Sequence, residues 1–69
     1  MNLNRHDDFV LFTILQKVYD GQKLDDNDWF EIKRVREKCL HTTVTKENMT
    51  IYTDVVGKLE LLKKLGWGW

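Results

Sequence analysis

The 69-residue chain contains no proline and only one cysteine, and its net charge is zero. Without proline and with only four glycines, helix ends have to be inferred mainly from capping residues and apolar periodicity. A single cysteine cannot form an internal disulfide, so we expect a reducing, cytoplasmic environment. A neutral chain also lacks the broad attraction to nucleic acid that a basic domain has.

Long apolar runs are missing as well. The longest, residues 9–12, continues with interruptions only to Tyr19, whereas a membrane helix needs about 20 apolar residues. The N-terminus lacks the basic region, apolar stretch and small-residue cleavage site that signal peptides carry. We therefore expect no contact with a membrane and a cytoplasmic location.

The composition is that of one small globular domain spanning residues 1–69. Hydrophobic residues make up 42% of the chain and charged residues 32%, which is too apolar for a disordered protein. Acidic residues predominate in residues 1–31 and basic residues in residues 32–69. This polarity either orients the protein toward a charged partner or is a solvated surface without a binding role.

Three helical segments are predicted, so we expect an all-α fold, a compact three-helix bundle with a short aromatic C-terminal tail. The first helix runs from about Asp7 to Tyr19, with Asn4 or Asp7 as its N-cap. Asp20 and Gly21 end it, because glycine accepts the left-handed conformation that a helix C-terminus needs.

The first helix is unusually apolar. At about 100° per residue, its apolar side chains cover about 260° of the circumference, which is too wide an arc for burial on one side. The helix is therefore either central, wrapped by the other helices and the tail, or partly in contact with another molecule, as in a homodimer. In an isolated monomer we expect Phe9, Phe12 and Leu15 to be the most exposed.

The second helix begins after Leu24. Acidic side chains in residues 25–28 favour the positive end of the helix dipole, and Asp28 with Glu31 has the spacing of a capping box. An apolar stripe with a period of about 3.6 residues follows. It consists of Trp29, Ile32, Val35, Cys39 and Leu40.

Basic residues of the second helix are candidates for binding a partner. Lys33, Arg34 and Lys38 are predicted to point away from the apolar stripe, so they could meet an acidic patch on another protein. Arg36 falls inside the stripe. There it either lays its stem on apolar surface with the guanidinium in water, or it anchors a partner's carboxylate or phosphate.

The third helix is predicted from about Lys46 to Leu65. The threonine-rich connection before it offers Thr43 or Thr45 as N-cap. The helix is amphipathic, with Gly57 on its polar side, where the glycine either bends the helix or lets another group approach closely. The apolar face comprises Met49, Ile51, Tyr52, Val55, Val56, Leu59 and Leu62.

The chain ends with LGWGW. Gly66 is predicted to be the left-handed residue that follows the third helix. Trp67 would then fold back over Leu61 or Leu62. Capping does not explain Trp69, so this tryptophan is a candidate for partner binding.

Motifs of conventional chemistry are poorly represented. The sequence has no glycine-rich phosphate loop, nucleophile elbow or metalloprotease helix, so we expect no enzymatic activity. Cys39 and His41 do not share a helix face, which disfavours a zinc site. Residues 25–28 lack the ligand spacing and distal glutamate of an EF-hand. We therefore expect no metal and no cofactor.

Two stretches resemble helix-turn-helix and winged-helix DNA-binding domains. Residues 52–69, YTDVVGKLELLKKLGWGW, resemble the recognition helix, and residues 18–32, VYDGQKLDDNDWFEI, resemble the link between the first two helices. The segment that would form the wing is absent. The resemblance implies a helix-turn-helix-like bundle in which polar residues of the third helix enter the major groove and two lysines approach phosphates. These are Asn48, Thr50, Thr53 and Lys58 in the groove and Lys63 and Lys64 at the phosphates.

From these features we interpret the chain as a small, non-enzymatic protein-binding module. Its size is typical of phage-type inhibitors or adaptors of host proteins, and tryptophan and arginine are favoured anchors of interfaces. The alternative is a helix-turn-helix transcriptional regulator that binds DNA through the third helix and dimerises through the first. The predicted partner-binding residues are Lys33, Arg34, Arg36, Lys38 and Trp69.

Overall fold

The structure is a computed structural model that describes residues 3–66. It contains three α-helices, which are α1 (Arg5–Tyr19), α2 (Asp26–Leu40) and α3 (Met49–Lys64). Each helix packs against both of the others, which confirms the predicted all-α three-helix bundle. Over residues 3–66 no strand is present, and no helix is both long and apolar enough to cross a membrane.

The core lies between three apolar stripes, one on each helix. Burial of each large side chain stabilises the fold by about 1.5–3 kcal/mol. The stripes predicted for α2 and α3 are confirmed except at Leu40 and Met49, which are exposed because they lie at helix ends. The buried apolar residues are Leu3, Leu11, Ile14, Leu15, Ile32, Val35, Cys39, Val55, Leu59 and Leu62.

α1 begins two residues earlier than predicted, because Asn4 rather than Asp7 is its N-cap. The Asn4 side-chain oxygen accepts a hydrogen bond from the Asp7 N–H (3.0 Å), and the Asp7 carboxylate accepts one from the Asn4 N–H (3.1 Å). This reciprocal capping box satisfies two backbone donors at the helix start. At the other end Gly21 has a φ of +78°, which confirms the predicted stop.

α2 begins with the same arrangement, three residues before the predicted box. The Asp25 carboxylate accepts from the Asp28 N–H (2.8 Å), and the Asp28 carboxylate accepts from the Asp25 N–H (3.2 Å). The predicted Asp28–Glu31 box is wrong, because Asp28 is the third helical residue and Glu31 instead pairs with Arg34 (2.6 Å). The backbone hydrogen bond from Asp28 lowers the pKa of Asp25.

α3 begins at Met49, three residues later than predicted. Residues 46–48, just before α3, form a turn that hydrogen bonds between Thr45 and Asn48 close. The Thr45 hydroxyl accepts from the Asn48 N–H (3.3 Å), and the Asn48 side chain accepts from the Thr45 N–H (2.7 Å). The N-cap of α3 is Asn48, so the prediction of Thr43 or Thr45 is wrong, and Thr45 caps the preceding turn instead. After α3, Gly66 has a φ of +91°, as predicted.

The aromatic tail lies outside the described residues. This applies to the predicted packing of Trp67 over Leu61 or Leu62, and to the predicted role of Trp69 in partner binding. Both stay predictions.

Ion pairs that use the two helix-start aspartates hold α1 and α2 antiparallel. The fully buried Asp7 carboxylate lies 3.3 Å from Nη1 of Arg34 and 3.2 Å from Nζ of Lys38. In the opposite direction, Asp28 in the first turn of α2 lies 3.0 Å from Nζ of Lys17 in the last turn of α1. We call these five residues the α1–α2 clamp. Each aspartate caps its own helix and neutralises cations of the other.

α3 runs parallel to α1. Arg5 pairs with Asp54 (3.4 Å), and one turn further along both helices Asp8 pairs with Lys58 (2.6 Å). α1 therefore has ion pairs on both flanks, toward α2 and toward α3. Its outer face is the side left for solvent.

We expect Asp7→Asn to lower the free energy of unfolding by about 2–4 kcal/mol, because it removes the counter-charge of Arg34 and Lys38 and weakens a capping box. Urea unfolding followed by circular dichroism measures the loss. Asp26→Asn is the control, since Asp26 is exposed in the first turn of α2. Equal losses in the two variants would contradict a special role for the clamp.

Gly57 lies on the exposed side of α3. A Cβ added there would meet no atom within 4 Å, so in the described part of the chain nothing approaches it closely. Gly57→Ala should therefore raise the free energy of unfolding by about 0.5–1 kcal/mol, because alanine loses less backbone entropy on folding. The expected observation is a higher urea midpoint with an unchanged slope. A lower midpoint would show that this position requires glycine.

Candidate protein-binding surface

The outer face of α1 carries three exposed aromatic side chains. Phe9, Phe12 and Tyr19 are 64%, 47% and 65% exposed. The predicted exposure is confirmed for Phe9 and Phe12. It is wrong for Leu15, which is only 5% exposed because it lies on the side of α1 that faces the core. α1 is therefore buried on its inner side and aromatic on its outer side.

A hollow of about 370 Å³ lies on the outer face of α2. Its lining residues recur every three or four positions, so they share one face of the helix. The Phe30 ring, 61% exposed, and the alkyl stems of charged residues make its walls almost wholly apolar, while the charged groups form the rim. We call this site the α2 hollow. It is lined by Phe30, Lys33, Arg34, Glu37 and Lys38.

Two cations of the rim are fixed by contacts inside the protein. Nη2 of Arg34 lies 2.6 Å from the Glu31 carboxylate, and this hydrogen bond raises the pKa of Arg34. Nη1 of Arg34 and Nζ of Lys38 both contact Asp7. Arg34 and Lys38, which the apolar periodicity predicts to point away from the stripe, therefore also take part in the fold through Asp7. They lie on the side of α2 that faces the first turn of α1.

The other predicted partner-binding residues lie in different environments. Lys33 is exposed, as predicted. Arg36 is half-buried two turns after Trp29, on a flank of α2 outside the hollow. Trp69 is not among the described residues. The structure thus brings Lys33 together with Arg34 and Lys38, and it leaves Arg36 apart from them.

A second recess of about 370 Å³ lies between α1 and α2. Phe9 of α1 lines it opposite Asn27 and Glu31 of α2. Because Glu31 lines this groove and its ion-pair partner Arg34 lines the α2 hollow, the pair forms a ridge between the two recesses. The groove also contains Asp28 of the clamp, so it is the more polar of the two.

The residues that the helix-turn-helix resemblance assigns to DNA fall into two groups. Asn48 is engaged in the turn before α3, where its side chain also donates to the Thr43 carbonyl (2.9 Å). Lys58 is half-buried in its pair with Asp8. The remaining assigned residues are exposed on α3, and they are Thr50, Thr53, Lys63 and Lys64.

Cys39 and His41 do not converge on a metal position. Cys39 is buried, and burial raises the pKa of its thiol, whereas His41 is exposed beside Glu37 (3.5 Å). Within residues 3–66, no group of three or more His, Cys, Asp and Glu side chains could hold a metal ion.

The α2 hollow suits protein binding, since many protein interfaces combine an apolar centre with a polar rim.

Comparisons with protein-family models, with curated proteins and with solved structures found no match for this chain.

Phe30 is not among the predicted partner-binding residues, although its position on α2 offered a signal in the sequence. It lies between Glu37 and Arg34 around α2, among charged residues and away from the apolar stripe, so the core does not require an aromatic there. The ion pairing of Asp7 with Arg34 and Lys38 could not be predicted from neighbouring residues in the sequence. It depends on Lys38, which lies 31 positions further along the chain.

Lys38→Glu should lower the free energy of unfolding by at least about 2 kcal/mol, because it places a second carboxylate beside the buried Asp7. Lys33→Glu should change it by less than about 0.5 kcal/mol, since Lys33 is exposed. Chemical denaturation of both variants at the same pH and salt concentration gives the difference. If both effects were small, the contact between Lys38 and Asp7 would be unimportant for the fold.

Proposed function

We propose that this chain is a non-enzymatic protein-binding module and that the α2 hollow is its binding site. The observation that carries the proposal is an exposed aromatic ring, that of Phe30, in the wall of an apolar recess with a charged rim. Protein interfaces are typically organised in this way, with aromatic or arginine anchors surrounded by polar residues.

The chemistry of the rim defines the partner. Lys33, Arg34 and Lys38 are basic, and Glu37 is the single acidic residue of the lining. A partner segment that inserts an apolar side chain next to an Asp or Glu would match both the recess and its rim. Lys33 is exposed and suited to pair with that carboxylate. Because Arg34 and Lys38 are held by Asp7, the walls are formed before binding, which lowers the entropy lost on association.

A module of this kind acts by occupying a surface of another protein. An open hollow on one helix does not enclose a small substrate, but it can hold a side chain of a partner. We therefore propose a small inhibitor or adaptor of the phage type that binds a host protein. The proposed location is the cytoplasm, which suits a buried thiol without a disulfide, that of Cys39.

DNA binding through α3 is the competing function. Exposed Thr50, Thr53, Lys63 and Lys64 support it. Against it, Lys58 is neutralised by Asp8, which reduces the positive charge that α3 offers to phosphates. We therefore favour a protein partner and include duplex DNA in the test.

The test is selection of binding peptides from a random display library, followed by affinity measurements. We expect the selected peptides to share an apolar residue next to Asp or Glu. Their affinity should fall at least about tenfold for Phe30→Ala and about threefold or more for Lys33→Glu. Phe12→Ala is the matched control, because it removes a similarly exposed phenylalanine from α1.

Two results would contradict the proposal. The first is a set of peptides that Phe12→Ala no longer binds and Phe30→Ala binds normally, since the site would then lie on α1. The second is tight, salt-sensitive binding to random-sequence duplex DNA that Lys63→Glu and Lys64→Glu abolish and Lys33→Glu does not. That outcome would favour the transcriptional regulator.

A further inference from the structure

The outer face of α1 has the spacing of a helix-pairing seam. Five of the seven exposed residues of α1 are separated by four, three, four and three positions, which is the a/d spacing of a coiled coil. This spacing keeps a stripe facing one partner helix over several turns. The opposite side of α1 is already buried against α2 and α3. The seam residues are Arg5, Phe9, Phe12, Gln16 and Tyr19.

Two exposed leucines, Leu61 in α3 and Leu65 at its C-cap, widen this face. Leu61 and Leu65 follow Lys58 at helical spacing, on the edge of α3 that pairs with α1. Because α1 and α3 run parallel, these leucines lie alongside the half of α1 that carries Phe12 and Tyr19. The apolar surface is therefore broader than the three aromatic rings alone.

The two ends of the seam carry opposite charges. Arg5 lies at the N-terminal end, and 65% of its side chain is exposed even though it pairs with Asp54. Asp20 lies at the C-terminal end, next to Tyr19, and is exposed. A second α1 in antiparallel orientation would bring Arg5 of each copy toward Asp20 of the other. A parallel orientation would bring like charges together, and it would also align the helix dipoles unfavourably.

We propose that this face is a self-association surface, on which a second copy of the chain docks with its α1 antiparallel to the first. A two-fold interface uses the same patch on both copies, so the patch must be complementary to itself, as the charges at its ends are. From the exposed fractions of the three aromatics, and about 150–250 Å² per aromatic side chain, these rings would bury roughly 260–440 Å² per copy. The three rings alone fall below the roughly 600 Å² per partner of specific interfaces, so the exposed leucines must contribute, and we expect weak association with a dissociation constant on the order of 100 μM.

The surface is distinct from the α2 hollow, and the proposal does not rest on the proposed function. Phe12 lies on α1 and Phe30 on α2, and both are exposed phenylalanines. Each can therefore serve as the control for the other. Loss of peptide binding and loss of self-association are separate measurements.

Sedimentation velocity of the full chain from about 1 μM to about 1 mM is the experiment. We expect wild-type protein to pass from monomer to dimer within this range. Phe12→Ala should raise the dissociation constant at least about tenfold, and Phe30→Ala should leave it unchanged. Circular dichroism and urea unfolding of each variant verify that it is folded.

Asp20→Lys tests the orientation. In the antiparallel dimer it places lysine near Arg5 of the second copy, so it should weaken association about threefold or more. Glu60→Lys makes the same change of charge at an exposed position of α3 outside the seam, and it should have no effect.

A wild-type chain that stays monomeric over the whole concentration range overturns the proposal, because the face is then covered within the chain or serves a different partner. A dimer that Phe12→Ala does not weaken also overturns it, since the interface then lies elsewhere. If Phe12→Ala weakens the dimer but Asp20→Lys does not, the copies are not antiparallel, and the proposed docking is wrong.

Discussion

The fold depends on two aspartates that each serve two helices. Asp7 closes the capping box of α1 and neutralises Arg34 and Lys38 of α2, and Asp28 closes the box of α2 and pairs with Lys17 of α1. A buried carboxylate needs both hydrogen bonds and a counter-charge. These partners meet only when the two helices are antiparallel and in one register. The clamp therefore fixes direction and register, while the apolar stripes supply most of the stabilising energy.

The same ion pairs decide which surfaces remain for binding. Because Arg34 and Lys38 are tied to Asp7, their alkyl stems form fixed walls beside Phe30. Most charged side chains of α1 lie on its flanks, toward α2 and α3, so three aromatic rings dominate the side that faces solvent. Two candidate surfaces of different character follow from one arrangement of charges. One is a recess with a charged rim, and the other is an apolar seam.

Local patterns predicted the helices but not how residues on different helices meet. The apolar stripes and the stops at Gly21 and Gly66 follow from periodicity and capping, which depend on neighbours in sequence. Helix starts were predicted less well, because the capping boxes use Asp where Glu or Gln is usual. Helical spacing grouped Lys33 with Lys38, but spacing cannot distinguish an exposed cation from one that reaches a distant buried carboxylate. Lys38 reaches Asp7 across 31 positions.

The double use of Asp7 couples two events that are separate in many helical proteins. Helix ends usually fray, so that a first turn opens and closes without disturbing the rest of the fold. Opening the first turn of α1 would pull Asp7 out of its capping box and break its ion pairs with Arg34 and Lys38. Local opening at this end therefore costs contacts between α1 and α2 as well as the capping box. Protected amide hydrogens in this turn would then exchange with solvent more slowly than those of an ordinary helix end.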